Sequence, residues 1–571
     1  MKNFIKRIIV CAIFLIATIL IINNAPQYEL EHKYKDGDIR LILNDTEITR
    51  DVKKLPERVA LLNGEVLLSQ NTVDILFDKD LFYDEKEKVL VTTSYDRVAM
   101  LKIGENKINI NGDIISTKVS ASIDYYNYDE DDRYDDTSIV RNSTNMVYIP
   151  IKELESVYNI TVDFKDKIII TDNNKDRNRY LVRGDEPIEV KATNDSLSKT
   201  LFSINPGDYF DVFGFDDTKE FNYIRNFDGE MGYLSTETIN SCEVEASYKK
   251  EEVNTNKEKI TIAWDYVNEN ASSIDDKNRR KKIENLDVVA PTLIYLQNTD
   301  GTVLYRVNPS TQYMEWAKKE KYDVWVTVKN DLSGIGIKET SEFLNSTKAR
   351  MNFIDELLGY ANRFNVQGIN IDFENMYKED AIVFAQLIRE LSAYCHQIGL
   401  VCSVCVNIPD GSDTWSLCYD HKALSEAADY LAVMTYDQFG ASSKLPGPNA
   451  SYDWVVENIE KLVDRDRVPS NKILLGIAFY SRLWTKNKGN FSNNAISMSK
   501  AISYVDNKNT KWNDIGRQYL YSKDNDSEIL WIEEKKSVKE KLGIVDEYDL
   551  GGSAIWRLGY ESDDVWEVFK K

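Results

Sequence analysis

The strongest constraint on the fold of this 571-residue chain is an eightfold alternation across residues 255–571. Apolar strand-like segments recur as ITIAWDYV (260–267), PTLIYL (291–296), YDVWVTV (322–328), VQGINIDFE (366–374), VCSVCVN (401–407), YLAVMTY (430–436), KILLGIAFY (472–480) and GGSAIWRL (551–558). Between them the apolar residues take helical spacing; in 351–364, Ile354, Leu357, Leu358 and Ala361 fall on one face. Strands alternating with amphipathic helices specify a parallel α/β domain. Eight such units fit a (β/α)8 TIM barrel, whose chemistry collects at the C-terminal strand ends. An open doubly wound sheet is the alternative, but no glycine-rich phosphate loop follows any strand.

The fourth segment contains QGINIDFEN (367–375), in which Ile369, Ile371 and Phe373 alternate with Asn370, Asp372 and Glu374. Successive strand side chains point to opposite faces, so one face is oily and the other bears an amide and two carboxylates. Both faces of a parallel barrel strand are buried, which predicts that this polar face lines the barrel interior with Glu374 nearest the mouth. A solvent-facing antiparallel strand is the plainer reading, and the other strand ends weigh against it. The sixth segment ends in Met434, Thr435, Tyr436 and Asp437; the seventh runs into Tyr480, Arg482 and Trp484; the eighth carries Trp556. Single Trp or Tyr residues usually only pack, so these assignments depend on one another. Together they suit glycoside cleavage, in which an acid protonates the leaving oxygen and negative charge steadies an oxocarbenium-like centre. Glu374 is the candidate acid, its pKa raised by enclosure and by Asp372, and Trp556 is a candidate floor for a sugar ring.

These motifs resemble glycoside hydrolase family 18, specifically its bacterial spore and cell-wall branch. Asp372 and Glu374 stand at the family's last strand-four Asp and its Glu; Met434, Tyr436 and Asp437 match its Met-x-Tyr-Asp; Gly476, Ile477, Phe479, Tyr480, Arg482 and Trp484 match its strand-seven pattern. The resemblance implies a retaining reaction without a protein nucleophile, in which the substrate's acetamido oxygen forms an oxazolinium intermediate. It makes Glu374 the general acid and base, has Asp372 orient the acetamide, and has Tyr436 hydrogen-bond its carbonyl. Asn370, Asp437, Trp556, Tyr480, Arg482 and Met434 are the expected substrate-binding set. Two positions depart from the family: Gln367 and Asn370 replace its first two Asp residues. Asn is common at the second position in this branch. An amide cannot share a proton with Asp372, so Asp372 is expected to stay ionised to lower pH.

Upstream, Lys2, Lys6 and Arg7 precede a 15-residue apolar run, 8–22, marking residues 1–28 as a signal or, with no clear cleavage site, an uncleaved membrane anchor. Residues 38–175 are strand-rich and contain a weak repeat: strand-like Val66–Ser69 leads to 89–92 as Val147–Pro150 leads to 168–171. The second copy resembles the small α+β module named after the N-terminal domain of copper amine oxidases, without implying copper. Residues 178–245, with short strands and turns such as Asn205-Pro206-Gly207-Asp208, resemble a bacterial SH3-like barrel. The Asp-rich run 129–136 reads as a solvated loop rather than a calcium site.

The net charge of −23 repels phosphate backbones and argues against a nucleic-acid partner. Cys402 and Cys405 form a CxxC within a strand, where positions three apart face opposite ways, and the three histidines are not spaced with them as ligands. Buried structural thiols, no metal and no cofactor are expected. The resulting expectation is a secreted or membrane-tethered hydrolase of β-1,4-linked N-acetylglucosamine polymers, peptidoglycan foremost, acting at the cell wall. A chitinase, an endoglycosidase and a non-catalytic glycan-binding barrel are the alternatives.

Overall fold

The computed structural model describes residues 39–49, 59–77, 81–124, 146–249, 258–274 and 282–569. The apolar N-terminal run, the Asp-rich run and most of the 249–259 linker lie outside the described residues. Among the described residues, no helix is long and apolar enough to cross a membrane. The chain divides into two compact units, one of Met1–Lys79, Gly104–Asn106 and Thr117–Glu251, the other of Asp80–Ile103, Lys107–Ser116 and Glu252–Lys571.

The second unit is built on eight parallel strands: β1 (Ile260–Asp265), β2 (Val288–Leu296), β3 (Asp323–Lys329), β4 (Gly368–Asp372), β5 (Val401–Asn407), β6 (Tyr430–Met434), β7 (Ile473–Ala478) and β8 (Gly552–Trp556). Each pairs in parallel with its neighbours, and β1 pairs with both β2 and β8, so the sheet closes. All eight expected strands are present, and the doubly wound alternative is excluded by this closure. The helices that pack outside are α1 (Val307–Glu320), α2 (Ile337–Leu344), α3 (Thr347–Phe364), α4 (Ala381–Gln397), α5 (His421–Ala427), α6 (Tyr452–Glu460) and α7 (Lys535–Glu547). Helix α3 is delimited by Ser346, whose hydroxyl accepts from the Ala349 N–H, and by Asn365 in the left-handed conformation. It buries Phe353, Ile354, Leu357 and Ala361 in the layer between helices and barrel, which also holds Ile369, Ile371 and Phe373 of the fourth strand segment.

Barrel closure sorts the two thiols of the CxxC. Cys402 lies in that outer layer, whereas Cys405 lies in the barrel interior with Trp264, Trp325 and Met434. Both are free and buried. Gly368 opens β4 because a Cβ there would sit 2.6 Å from the Trp325 ring. Between β7 and β8 the chain inserts a five-stranded antiparallel sheet that starts at Tyr480–Asn487, so the seventh strand ends at Ala478 and Tyr480 already belongs to the insertion.

A second five-stranded antiparallel sheet of this unit, Phe82–Asp84 to Asp113–Ser116, comes from the N-terminal half of the chain. Residues 38–175, expected as one module, are therefore divided between the units. The physical reason is apolar burial: Val91 and Val98 pack with Ala393 of α4, and Tyr95 stacks on His396 at 4.1 Å. Asp84 accepts from the Thr347 hydroxyl at 2.7 Å, and Arg350 lies over the Phe82 ring at 4.9 Å.

In the first unit both copies of the repeat show a strand followed by helix. The hairpin of the second copy, Ile160–Phe164 with Ile168–Asp172, stays with it, whereas that of the first copy belongs to the second unit. Glu65–Ser69 and Gln70–Leu76 correspond to Met146–Pro150 and the helical turns from Ile151 to Tyr158. The two leading strands pair antiparallel, Tyr148 opposite Ser69. Residues 177–248 form one seven-stranded antiparallel sheet around Tyr180, Val190, Phe210, Val212, Ile224 and Leu234.

Candidate active site

Strand β4 brings its amide and first carboxylate into the barrel, with Asn370 at 0% exposure and Asp372 at 4%. The Asn370 carbonyl oxygen accepts from Trp264 Nε1 at 3.0 Å, from the Thr327 hydroxyl and from the Cys405 thiol, while its amide donates to Ser403 Oγ at 2.9 Å. Its side chain thus ties β1, β3, β4 and β5 together. The Asp372 Oδ1 atom is buried without a hydrogen-bond partner. Burial raises the pKa of Asp372, and the nearby Lys329 ammonium pulls the other way without reversing it. Asp372 thus lies above an ordinary carboxyl. Loss of hydration in the closed barrel sets that direction. The expectation that an amide at 370 keeps it ionised to lower pH than a second acid would is a separate comparison, which the Asn370→Asp variant tests.

Glu374 lies just past β4, and Asn330 holds its backbone at both ends: the Glu374 N–H donates to Asn330 Oδ1 at 3.0 Å and Asn330 Nδ2 donates to the Glu374 carbonyl at 2.9 Å. Burial first, then the Asp372 charge, push the Glu374 carboxyl up to about 8, against the lowering effect of Lys329. The phenol of Tyr436 is also held well above its ordinary range by burial, then by Tyr480, so it is a neutral hydrogen-bond donor. Its ring meets Tyr480 edge-on at 6.4 Å.

Asp437 takes a left-handed backbone conformation, φ +60°. Its Oδ1 accepts from Tyr480 Oη at 2.7 Å, Arg482 Nη2 at 2.6 Å and Arg482 Nε at 3.0 Å. Tyr480 and Arg482 thus act on Asp437, which in turn contributes to raising Glu374. Met434 is 9% exposed and packs in the barrel interior. Trp556 lies 6.0 Å from Trp264, ring to ring, at the end of β8, and the following peptide to Arg557 is cis. Gln367 sits before β4, accepting from the Val324 N–H and donating to the Asn365 carbonyl, so its contacts join backbone segments at the strand's start.

Lys329 and Asn330 were missed by sequence reasoning. Lys329 ends β3 with Nζ 2.7 Å from Asp331. Burial works against its ammonium, but the Asp372, Asp331 and Glu374 charges outweigh that and hold it above its ordinary range. The available signal was a polar Lys-Asn-Asp run closing an otherwise apolar strand, the same signature that flagged the ends of β4 and β6.

Two results follow for the acid–base pair. Removing the cation in Lys329→Met should let Glu374 rise further, moving the alkaline limb of the kcat profile to higher pH. In Asn370→Asp a second buried acid beside Asp372 should raise the acid limb. An acid limb unchanged from wild type in a kcat–pH titration would rule out Asp372 as the group it reports.

Residues 317–561 match the family model described as Glycosyl hydrolases family 18. An uncharacterized glycosylase of Bacillus subtilis (strain 168) is 28% identical over 272 residues, 46% of this chain and 78% of that protein. A cortical fragment-lytic enzyme of the same strain is 27% identical over 234 residues, 39% of this chain and 53% of that protein, so the chain spans about half of that relative's length. Among solved structures, a chitinase from Chromobacterium violaceum aligns with a TM-score of 0.48 at 24% identity, over 55% of this chain and 98% of that one.

Proposed function

We propose that this glycoside hydrolase cuts β-1,4 bonds next to N-acetylglucosamine in peptidoglycan, with the substrate's own acetamido group as nucleophile. The observation that supports this most directly is the pairing of a carboxyl at about 8, Glu374, with a buried Asp372 whose Oδ1 has no partner. Glu374 is protonated at neutral pH and donates to the leaving oxygen. It then takes the proton of the water that opens the oxazolinium ring. Asp372 accepts the acetamide N–H and offsets the positive charge that grows on the ring, while the neutral Tyr436 phenol donates to the acetamide carbonyl. Lys329 limits how far the two carboxyls rise, and Asp437, braced by Tyr480 and Arg482, adds negative charge at the mouth. Trp556 offers an apolar face for the sugar's C–H surface.

Peptidoglycan over chitin is supported by the relative named for cortical fragments, and an enzyme acting outside the cell membrane, tethered or released to the wall, by the export-type sequence of residues 1–28. The accessory domains are read as the copper-amine-oxidase-N-like and SH3-like modules named above. Purified peptidoglycan and chito-oligosaccharides, digested in parallel, test the substrate. Mass spectrometry should show fragments with N-acetylglucosamine at the new reducing end, and proton NMR of the first product should show the β anomer. A muramic acid reducing end, or the α anomer, would overturn the reading. Because the acid form of Glu374 is the reactive one, kcat should fall as pH rises through about 8. A flat profile between pH 6 and 9 would contradict that role.

A further inference from the structure

The first unit contains a cavity of about 630 Å³ whose lining is basic, in a chain whose net charge is −23. Sheet register creates it. Asp211 sits opposite Arg179 on one neighbouring strand and opposite Arg225 on the other, and Arg177 lies two residues along from Arg179 on the same face. Arg179 grips Asp211 with two hydrogen bonds, at 2.9 and 3.2 Å; Arg225 Nη2 approaches it at 3.3 Å and Arg177 Nε at 3.9 Å. One carboxylate at 1% exposure therefore serves three guanidiniums. With Lys249 added, and Asp163 as the one acid in the lining, the cavity keeps a surplus of two positive charges.

The guanidiniums are held in place rather than free to turn away. Arg177 stacks on Tyr248 at 3.9 Å and Arg179 on Phe227 at 4.5 Å, and Arg225 donates to the Asn44 carbonyl at 2.7 Å. The Nε–H groups of Arg177 and Arg225 are buried without a hydrogen-bond acceptor. Arg177 also donates to the Asp172 carbonyl and to Asn173 Oδ1, and Arg225 to the Thr171 hydroxyl, so Arg179, 24% exposed, is the guanidinium that meets the cavity. Around the rim stand amides and an exposed aromatic ring: Asn159, Asn173, Asn174 and Phe227, the last 44% exposed.

We propose that this cavity is a second saccharide site, which takes the carboxylate of an acidic amino sugar through its guanidinium cluster. The surplus positive charge, presented at the cavity by Arg179 and Lys249, draws a carboxylate. The rim amides suit an N-acetyl group, the Phe227 edge suits a sugar ring, and the volume suits one or two sugar units. A polyanion such as a polyol phosphate is disfavoured, because its binding needs a stripe of cations, whereas here the positive charge is concentrated in one hollow of an acidic protein. This inference rests on the wall-glycan reading above for its substrate class.

The test is calorimetric titration of the full chain with N-acetylmuramic acid, N-acetylglucosamine and glycerol 1-phosphate. N-Acetylmuramic acid should bind saturably and about tenfold more tightly than the neutral sugar, and the affinity should weaken as salt is raised. Arg179→Gln should weaken it about tenfold. Asn174→Asp guards against a folding artefact, because its carboxylate still accepts the bond that Asn174 Oδ1 receives from Asn159 while adding negative charge at the exposed rim. It should weaken binding several-fold and leave chito-oligosaccharide hydrolysis at the wild-type rate. Equal affinity for the neutral sugar, equal or tighter binding of glycerol 1-phosphate, or pocket variants that bind like wild type would overturn the site. Hydrolysis assays report on the barrel alone, so a failure there would sink the substrate reading without altering these binding outcomes.

Discussion

Glu374→Gln should lower kcat on an N-acetylglucosamine polymer by about a thousandfold with KM little changed, as expected for loss of a general acid that acts only in the transition state. Gln is isosteric, and the backbone at this position is clamped by Asn330 rather than by the carboxyl, so the fold should be unaffected. An independent signature comes from proton linkage. The folded-state pKa of Glu374 is raised from an ordinary 4.5 to about 8. The folded state therefore binds the proton more tightly than the unfolded chain. Stability associated with that proton is fully present below about pH 4.5 and is lost as pH rises through about 8. Glu374→Gln, which has no charge to bury, should match wild type at pH 4 and unfold at higher temperature than wild type at pH 9. Reducing-end release and thermal unfolding at the two pH values check both halves. Retention of a tenth or more of wild-type kcat would remove Glu374 from the role of acid.

Glu390→Ala should destabilise the barrel unit by about 3–5 kcal/mol, the range for removing one partner of a buried ion pair. Arg350 of α3 and Glu390 of α4 are both at 0% exposure and bond bidentately at 2.8 and 2.9 Å. Arg350 also donates to the Leu344 carbonyl and to Thr347, which in turn binds Asp84 of the added sheet. Removing Glu390 strands the guanidinium in an apolar layer. The midpoint of thermal unfolding should drop by about 10 °C. The double variant Arg350→Met/Glu390→Leu should recover part of the loss, because neither half of the pair is then buried alone, while Gln386 loses the acceptor that Glu390 provides. A single variant within 1 °C of wild type would show that the pair is not what holds α3 to α4.

Much of the barrel was legible in the chain. Strand periodicity is local, and a parallel barrel repeats it eight times, so the pattern could be counted. The candidate site residues were legible for a related reason: a polar residue at a strand end in a doubly buried sheet stands out against its neighbours. What escaped notice was contributed by pairs distant in sequence. Asn330 and Glu374 are 44 residues apart, and Arg350 and Glu390 are 40 apart. Neither pair has a local signature. The division of residues 38–175 was hidden for the same reason, since Val91 and Val98 look like ordinary strand residues until Ala393 is placed against them.

By itself, then, the sequence determined the order of strands and helices, the closed parallel barrel and the identity of the carboxyls at its mouth, because these follow from which residues alternate with which over a few positions. The tertiary structure alone decided how those carboxyls titrate. Asp372 lies above an ordinary carboxyl because burial removes water from it, with Lys329 supplying only partial relief. Protonation depends on solvation and on charges brought close by the fold, and neither quantity is written in the spacing of residues along the chain.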